Sequence, residues 1–292
     1  MMTASPSTAR DASDMAHGDV GGGPLSIGVR RLSDHPGRNI LSHWHEELEL
    51  IRVLEGEIAL CVNDREVLLR AGDCLAINSR QMHSNGPGPG GGDCRYLCLL
   101  AGLDLFSGSR RVREELITPI LEDEGFDCLL LDEECAGMLD RMSRLEGAAG
   151  GIERIGLLHL ILARVRTRLG EGGVRGAERP DRPEAATQKA MVSYICQHYP
   201  EKITLAEIAA AGRVCRSRCC AIFRKYLRQS PIDFLNSYRL TVSLTLLRDT
   251  EDRISDIAAA CGFAHQSYYS RMFSRQYGCT PNEYRARSGR AA

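Results

Sequence analysis

The sequence has few aromatic residues and no long apolar run. Phe, Trp and Tyr make up 5% of its 292 residues, and Trp44 is its single tryptophan. No stretch reaches the roughly 18 consecutive apolar residues that a membrane-spanning helix needs. Residues 1–24 lack the apolar core of a secretory signal and are expected to be a disordered lead-in. We therefore expect a cytoplasmic protein that does not cross a membrane.

The chain is nearly neutral overall, but its acidic and basic residues are unevenly distributed along the sequence. The formal net charge is −1. Residues 1–185 hold 21 Lys and Arg against 30 Asp and Glu, whereas the remaining residues hold 16 against 8. A basic C-terminal third favours an anionic partner such as nucleic acid, although two ordinary solvated surfaces would give the same numbers.

Cysteine is abundant, with twelve residues, yet no Cys-x-x-Cys pair occurs. The most common spacing of a structural zinc site is therefore absent. Cys94 and Cys98 lie four residues apart, as do Cys215 and Cys219. We expect reduced and mostly buried thiols, as in a cytosolic protein, and leave open a redox role for Cys215, Cys219 or Cys220.

The N-terminal half divides into a strand-rich part and a helical part. Residues 25–110 contain short β-prone runs such as IRVLEG, EIALCVN and CRYLCLLAG, separated by Gly, Asn and Asp. This pattern predicts a small barrel or sandwich. Residues 111–170 are predicted to form a helical connector. Residues 171–187, rich in Gly, Pro, Arg and Glu, are predicted to be a linker.

One segment of the connector has a clear helical period. In GIERIGLLHLILARVRTRL, apolar residues recur every three or four positions from Ile152 to Leu169. An apolar stripe of this kind must be buried, but its partner is not defined by the sequence. The helix is expected either to cover the barrel or to pair with a second copy of the chain.

The C-terminal domain, predicted over residues 188–288, contains a duplication. LAEIAAAG at Leu205 is similar to ISDIAAACG at Ile254, and Phe223 recurs as Phe273. Each copy reads as a short helix, a turn and a longer helix, at about 204–228 and 254–277. Thr204 and Ser255 are predicted to begin the short helices.

This order of elements is that of the helix-turn-helix, whose second helix can enter the major groove of DNA. The segment PIDFLNSYRLTVSLTLLRDT between the copies is predicted to be a helix of roughly 27 Å. Such a rod could hold two reading helices about one DNA turn apart, so that one chain reads two successive major grooves.

The segments AEIAAA, IFRKYLRQSPIDFLNSYRL and ISDIAAACGFAHQSYYSRMFSRQYGCTPNEYR carry a resemblance. Together they resemble the DNA-binding domain of the AraC/XylS family of bacterial transcriptional regulators. The resemblance implies sequence-specific binding to promoter DNA, with activation or repression of transcription and no catalysis. It also implies a homodimer, and it allows contact with RNA polymerase.

The first unit departs from the family pattern, because Cys215 replaces the usual serine cap and Ala221 replaces the usual arginine. The second unit keeps longer polar side chains, so we expect it to carry most of the direct base readout. Arg224, Lys225, Arg239 and Arg275 are expected to contact phosphates. The complete set of residues expected to bind DNA is Arg216, Ser217, Arg218, Cys220, Arg224, Lys225, Arg239, His265, Gln266, Ser267, Ser270, Arg271 and Arg275.

The barrel segment resembles the cupins. Gly37, His43, His45, Glu49 and Gly56 fit the spacing of the first cupin motif. The second motif is eroded. Its retained residues are Gly72 and His83, while Asn78 and Arg80 stand where Pro and Gly are usual. The resemblance implies a cupin-like β-barrel in which His43, His45, Glu49 and His83 correspond to metal ligands.

Three interpretations of these four residues remain open. They could hold a metal, hydrogen-bond a small organic effector, or persist as buried structural histidines. The effector interpretation is favoured, and no cofactor is expected. The chain is thus expected to be an effector-responsive transcription factor. The alternative is a metal-dependent cupin enzyme fused to a DNA-binding module.

Overall fold

The structure, a computed structural model, describes residues 25–102, 105, 109–123, 126–170 and 184–288. The chain divides into an N-terminal and a C-terminal unit between Asp181 and Arg182. The predicted lead-in, 1–24, and most of the predicted linker, 171–183, lie outside the described residues. Within the described part of the chain, no helix is long and apolar enough to cross a membrane.

The N-terminal unit contains two antiparallel sheets. Its strands are β1 (Leu25–Arg31), β2 (Ile40–His43), β3 (Leu48–Glu55), β4 (Glu57–Val62), β5 (Arg65–Arg70), β6 (Cys74–Ile77), β7 (His83–Pro87), β8 (Arg95–Ala101) and β9 (Cys128–Leu131). One sheet has the order β1-β8-β3-β6-β9, and the other has the order β2-β7-β4-β5. The strand-rich cupin-like fold is confirmed, as two facing sheets rather than a closed barrel.

Successive side chains of each strand point to opposite faces of the five-stranded sheet, and both of these faces are buried. On its inner face, residues such as Ile51 and Tyr96 pack against Ile58 and Leu60 of the four-stranded sheet. Its outer face is covered by helices. The chain makes a tight turn between β3 and β4 at Gly56 (φ +78°), where a Cβ atom would lie 2.2 Å from the Asp93 oxygen.

The predicted connector is not wholly helical, because β9 lies within it and pairs with β6. The other elements are a π-helical turn (Val112–Ile117), α1 (Thr118–Leu121), α2 (Glu133–Met142) and α3 (Gly147–Gly170). Leu158, Leu162 and Val165 of α3 are buried in the cluster that covers the sheet. Ile152, however, is 75% exposed. The helix therefore covers the sheet along only part of the predicted stripe.

The C-terminal unit is helical. Its helices are α4 (Glu184–His198), α5 (Leu205–Ala211), α6 (Arg216–Leu227), α7 (Pro231–Asp249), α8 (Ile254–Ala260), α9 (Gln266–Tyr277) and α10 (Pro281–Ser288). Since α4 begins at Glu184, the last four residues of the predicted linker, 184–187, are helical. The two predicted helix-turn-helix units correspond to α5–α6 and α8–α9, joined by α7.

The helix starts differ between the two copies. Thr204 caps α5 in a reciprocal capping box with Glu207, as a short hydroxyl side chain can. The prediction for Ser255 is wrong, because α8 begins at Ile254, two residues before a helix capped by Ser255 would begin. Its N-cap is Arg253, which makes no side-chain capping bond. The second copy therefore starts its short helix with weaker local support.

Corresponding turn positions of the two copies adopt the same left-handed backbone conformation, which is unfavourable for residues other than glycine. Arg213 (φ +54°) and Gly262 (φ +82°) occupy the same place between the two helices of a unit. Arg228 (φ +54°) and Gly278 (φ +70°) end the two reading helices in the same left-handed conformation. The first copy therefore bears a strain at two positions that glycine avoids in the second.

Candidate metal centre and nucleic-acid interface

The four predicted residues of the N-terminal unit lie together between the two sheets. His43 ends β2 and lies opposite His83 of β7 in the four-stranded sheet. His45 lies in the loop after β2, and Glu49 lies on β3 of the other sheet. Alternate residues of a regular strand share one face, so the sequence spacing of His43, His45 and Glu49 would place them on one face of a single strand. They instead come from two strands and a loop, and their side chains still converge.

The cluster is compact and buried. The His43 and His83 ring centroids are 4.3 Å apart, and those of His45 and His83 are 4.9 Å apart. Glu49 Oε2 lies 3.0 Å from His83 Nε2 and 3.5 Å from His45 Nε2. All four residues are at most 4% exposed. A buried carboxylate is thus placed against imidazole nitrogens, which is the environment that buried charge requires.

Each of the three histidines has its ring fixed by a backbone carbonyl. A carbonyl oxygen only accepts hydrogen bonds, so each Nδ1 carries a proton, and each ring in its neutral form offers the Nε2 lone pair. Contacts of this kind are the usual outer support of metal-ligating histidines. The Nδ1–O distances are 2.8 Å from His43 to Leu41, 3.1 Å from His45 to Glu47, and 2.9 Å from His83 to Gln81.

This donor set fits a divalent transition-metal ion. One ligand nitrogen from each of His43, His45 and His83 lies within 4.8 Å of the other two. Three imidazoles with one carboxylate suit zinc, iron, nickel or manganese by ligand type. If a metal is bound, these three histidines and Glu49 would hold it.

Glu49 also accepts a hydrogen bond from Cys98, and it affects the pKa of His83. Cys98 Sγ donates to Glu49 Oε1 at 3.2 Å, and burial raises the pKa of this thiol well above its usual range. Burial acts to lower the pKa of His83, but the hydrogen bond and charge of Glu49 outweigh it and leave that pKa raised. Cys98 was missed as a site residue, although its inward place in the alternation of β8 was a usable signal.

The eroded second motif retains its backbone geometry. Arg80 has φ +61°, the left-handed conformation that explains why Gly is usual at this position. Its Nε donates to Glu46 Oε2 at 2.6 Å, and its backbone N–H donates to the His45 oxygen at 2.7 Å. Asn78 donates to the carbonyl oxygens of Leu121 and Phe126. These contacts support the loop that precedes His83 without the usual Pro and Gly.

In the C-terminal unit, most of the predicted DNA-binding side chains lie exposed on the two reading helices. On α6 and α9, the core side chains Phe223, Tyr269 and Phe273 are fully buried. Cys220 and Ser270 are half-buried. The exposed predicted residues are Arg216, Ser217, Arg218, Arg224 and Lys225 of the first unit and His265, Gln266, Ser267, Arg271 and Arg275 of the second.

Arg239 does not fit the predicted phosphate contact. It is 8% exposed and lies inside the unit, where Nε donates to the Tyr199 oxygen at 2.8 Å and Nη2 to the Glu201 oxygen at 2.7 Å. Its guanidinium also lies over the Phe263 ring, 5.7 Å from the centroid. Arg239 therefore joins α7 to the end of α4. A buried arginine of this kind is not revealed by sequence spacing.

Tyr268 was not predicted as a site residue, yet it lies beside the reading face of α9. It is 38% exposed, and the Arg271 guanidinium lies 5.5 Å from its ring centroid. Its hydroxyl accepts from Asn236 Nδ2 at 3.4 Å. Tyr268 can thus restrict the directions that Arg271 takes.

Comparisons with known proteins agree with this division. A helix-turn-helix domain model matches residues 208–287, and a cupin domain model matches residues 31–100. The uncharacterized HTH-type transcriptional regulator YdeC of Bacillus subtilis is 26% identical over 83% of this chain and 85% of its own. The transcriptional activator RhaR of Yersinia pseudotuberculosis is 32% identical, over 36% of each chain.

A solved structure shows the same fold. The crystal structure of ToxT from Vibrio cholerae, with an unsaturated fatty acid bound, matches 89% of this chain and 94% of that chain. The TM-score is 0.50 and the sequence identity is 14%.

The fold and these matches define a two-domain DNA-binding regulator, with a cupin domain followed by a duplicated helix-turn-helix domain. The chain is similar over most of its length to an HTH-type transcriptional regulator. Its relatives are named as transcriptional regulators, which points to a regulator rather than an enzyme. The alternative of a cupin enzyme fused to a DNA-binding module is therefore not supported.

Proposed function

We propose that this regulator binds promoter DNA through α6 and α9, and that its effector is a divalent transition-metal ion held by His43, His45, His83 and Glu49. The observation that carries the proposal is the orientation of the three histidines. Each ring is fixed through Nδ1 to a carbonyl oxygen, and the ligand nitrogens converge within 4.8 Å beside a buried carboxylate.

A metal explains this arrangement better than an organic effector does. Hydrogen bonding to an organic molecule needs donors and acceptors spread over the ligand surface. Here the donor atoms converge on a small volume, and the outer contacts select the tautomer that a metal needs. A metal bound here would join strands of both sheets, because Glu49 comes from one sheet and His43 and His83 come from the other.

The DNA-binding part of the proposal assigns different tasks to the two units. The first unit presents small side chains where bases would be read, such as Ser217 and Cys220, flanked by arginines. The second presents Gln266 and Arg271, whose geometry suits adenine and guanine respectively. The 19 residues of α7 span about 28 Å, close to the roughly 34 Å of one DNA turn.

The exposed side of α3 supports a homodimer. Ile152 and Leu160 are 75% and 54% exposed, and Gly156 lies exposed between them at the same helical spacing. An apolar, small-residue stripe of this kind permits close approach of a second α3. Leu160→Glu should convert a dimer to monomer in sedimentation experiments. Val29→Glu, which alters an exposed apolar side chain of β1, is the control.

Metal analysis of the purified full-length chain tests the effector site. We expect a single bound ion in the wild type and in the control His159→Ala, where the altered histidine lies on α3, and its loss in His83→Ala. An unchanged metal content in His83→Ala would refute the proposed ligand set. A metal-free wild type whose melting temperature rises only with an organic metabolite would instead favour an organic effector.

The direction of regulation follows from a transcription assay with purified RNA polymerase. If the regulator activates transcription through a contact with the polymerase, adding it to its promoter should increase the amount of transcript. Less transcript indicates repression.

A further inference from the structure

A buried carboxylate at the start of the DNA-binding unit contacts the first reading helix. Glu184 is the first described residue of α4 and is 9% exposed. Its Oε1 forms an ion pair with Arg218 Nη2 of α6. Its Oε2 accepts from Lys225 Nζ at 3.1 Å and from the Tyr226 hydroxyl at 3.0 Å. Both oxygens of one carboxylate are thus used by three side chains of α6.

The two cations held by Glu184 are residues that the family resemblance assigns to DNA. Their side chains remain about half exposed, at 57% for Arg218 and 52% for Lys225, so DNA phosphates can reach them. A phosphate is attracted by the same two positive charges that the Glu184 carboxylate partly neutralises. A carboxylate that is itself buried cannot follow these donors to the DNA surface. Glu184 and a DNA phosphate therefore compete for Arg218 and Lys225.

The charge of Glu184 acts on two cations together. Because one carboxylate holds both Arg218 and Lys225, loss of its charge frees both at once. Burial acts to raise the pKa of Glu184, but the bonds from Lys225 and Tyr226 outweigh it and lower that pKa. The competing charge is therefore present at neutral pH.

We propose that Glu184 is a positioning residue that restrains Arg218 and Lys225, and that its release strengthens DNA binding by the first helix-turn-helix unit. The inference rests on the proposed placement of α6 on DNA. It requires no change in the fold of the C-terminal unit.

The test is the salt dependence of DNA binding by the full-length chain with Glu184→Gln. The amide keeps the shape of the side chain and an acceptor for the Tyr226 hydroxyl, but it removes the charge. The probe is a labelled random-sequence duplex of about 30 bp, roughly three helical turns. Each phosphate contact contributes about 0.9 to the slope of log affinity against log salt.

We expect Glu184→Gln to bind this probe more tightly, by up to roughly eightfold at 0.1 M salt for each cation released, with a slope steeper by about 1 to 2. Glu201→Gln, which removes an exposed carboxylate of the same unit, corrects for the general loss of negative charge. Its effect should be smaller on both measures. A melting curve confirms that each variant is folded.

A variant with both Arg218→Gln and Lys225→Gln separates the possible failures. In this background Glu184→Gln should have no effect on DNA binding, because the cations that it releases are absent. If the double variant binds DNA as the wild type does, α6 does not contact DNA and the proposed function fails with it. If it binds less tightly, but Glu184→Gln alone is no tighter than Glu201→Gln, only the role of Glu184 is refuted.

Discussion

Arg239 should stabilise the C-terminal unit and contribute little to DNA binding, and Arg239→Met tests this directly. The substitution keeps a long apolar stem but removes both donors, so the carbonyl oxygens of Tyr199 and Glu201 lose a charged partner. Hydrogen bonds to charged groups contribute about 1.5–3 kcal/mol each. Two of them give a loss of about 3 kcal/mol or more in the free energy of unfolding. For a domain of about 100 residues, that lowers the melting temperature by roughly 12 °C or more.

Thermal unfolding of the full-length variant provides the measurement, with Arg275→Met as an exposed control on α9. We expect a large decrease in the melting temperature of the C-terminal unit for Arg239→Met and almost none for Arg275→Met. DNA binding by Arg239→Met, measured well below its melting temperature, should keep the wild-type salt slope. An unchanged melting temperature together with a slope reduced by about one would refute the buried role and restore the phosphate contact.

Three other expectations concern DNA readout, backbone strain and pH. Arg271→Ala should lower affinity for a selected DNA site by about 1–3 kcal/mol and relax the choice of one base, whereas Arg275→Ala should weaken binding to all sequences. Competition with random DNA distinguishes the two, and equal loss on both probes would contradict the assignment of Arg271. Arg228→Gly should raise the free energy of unfolding by about 1 kcal/mol, because Gly278 adopts the same conformation without strain; a lower melting temperature would argue against this. Acidification should weaken metal binding, because protons compete with the metal for the ligand histidines and the raised pKa of His83 favours its protonated form. Metal retained below pH 5 would contradict this.

The duplicated DNA-binding unit could be predicted well, because its signals are local. The repeat of LAEIAAAG and ISDIAAACG, the capping residue Thr204 and the apolar spacing of each reading helix depend on neighbours within a few turns. The ligand set of the N-terminal unit was also predictable by resemblance. Its geometry was not, because the convergence of Glu49 with His43 and His83 depends on how two sheets face each other.

Features that depend on distant contacts were missed for a common physical reason. The four-residue run of β9, CLLL, has no period that separates a strand from a buried helix, so only its pairing with β6 identifies it. Arg239 and Arg218 look alike in sequence, each being an arginine on a helix. Their partners lie 34–40 residues away in the chain, and these partners bury one side chain and leave the other half exposed.

Occupancy of the histidine site should alter the affinity of the chain for DNA. The direct measurement is the affinity of the full-length chain for a duplex selected from a random library, with its metal bound and after removal by a chelator. We expect the two affinities to differ in the wild type and in His159→Ala, and to be equal in His83→Ala. Equal affinities in the wild type, with the metal shown to be bound and removed, would contradict the coupling between metal site and DNA binding.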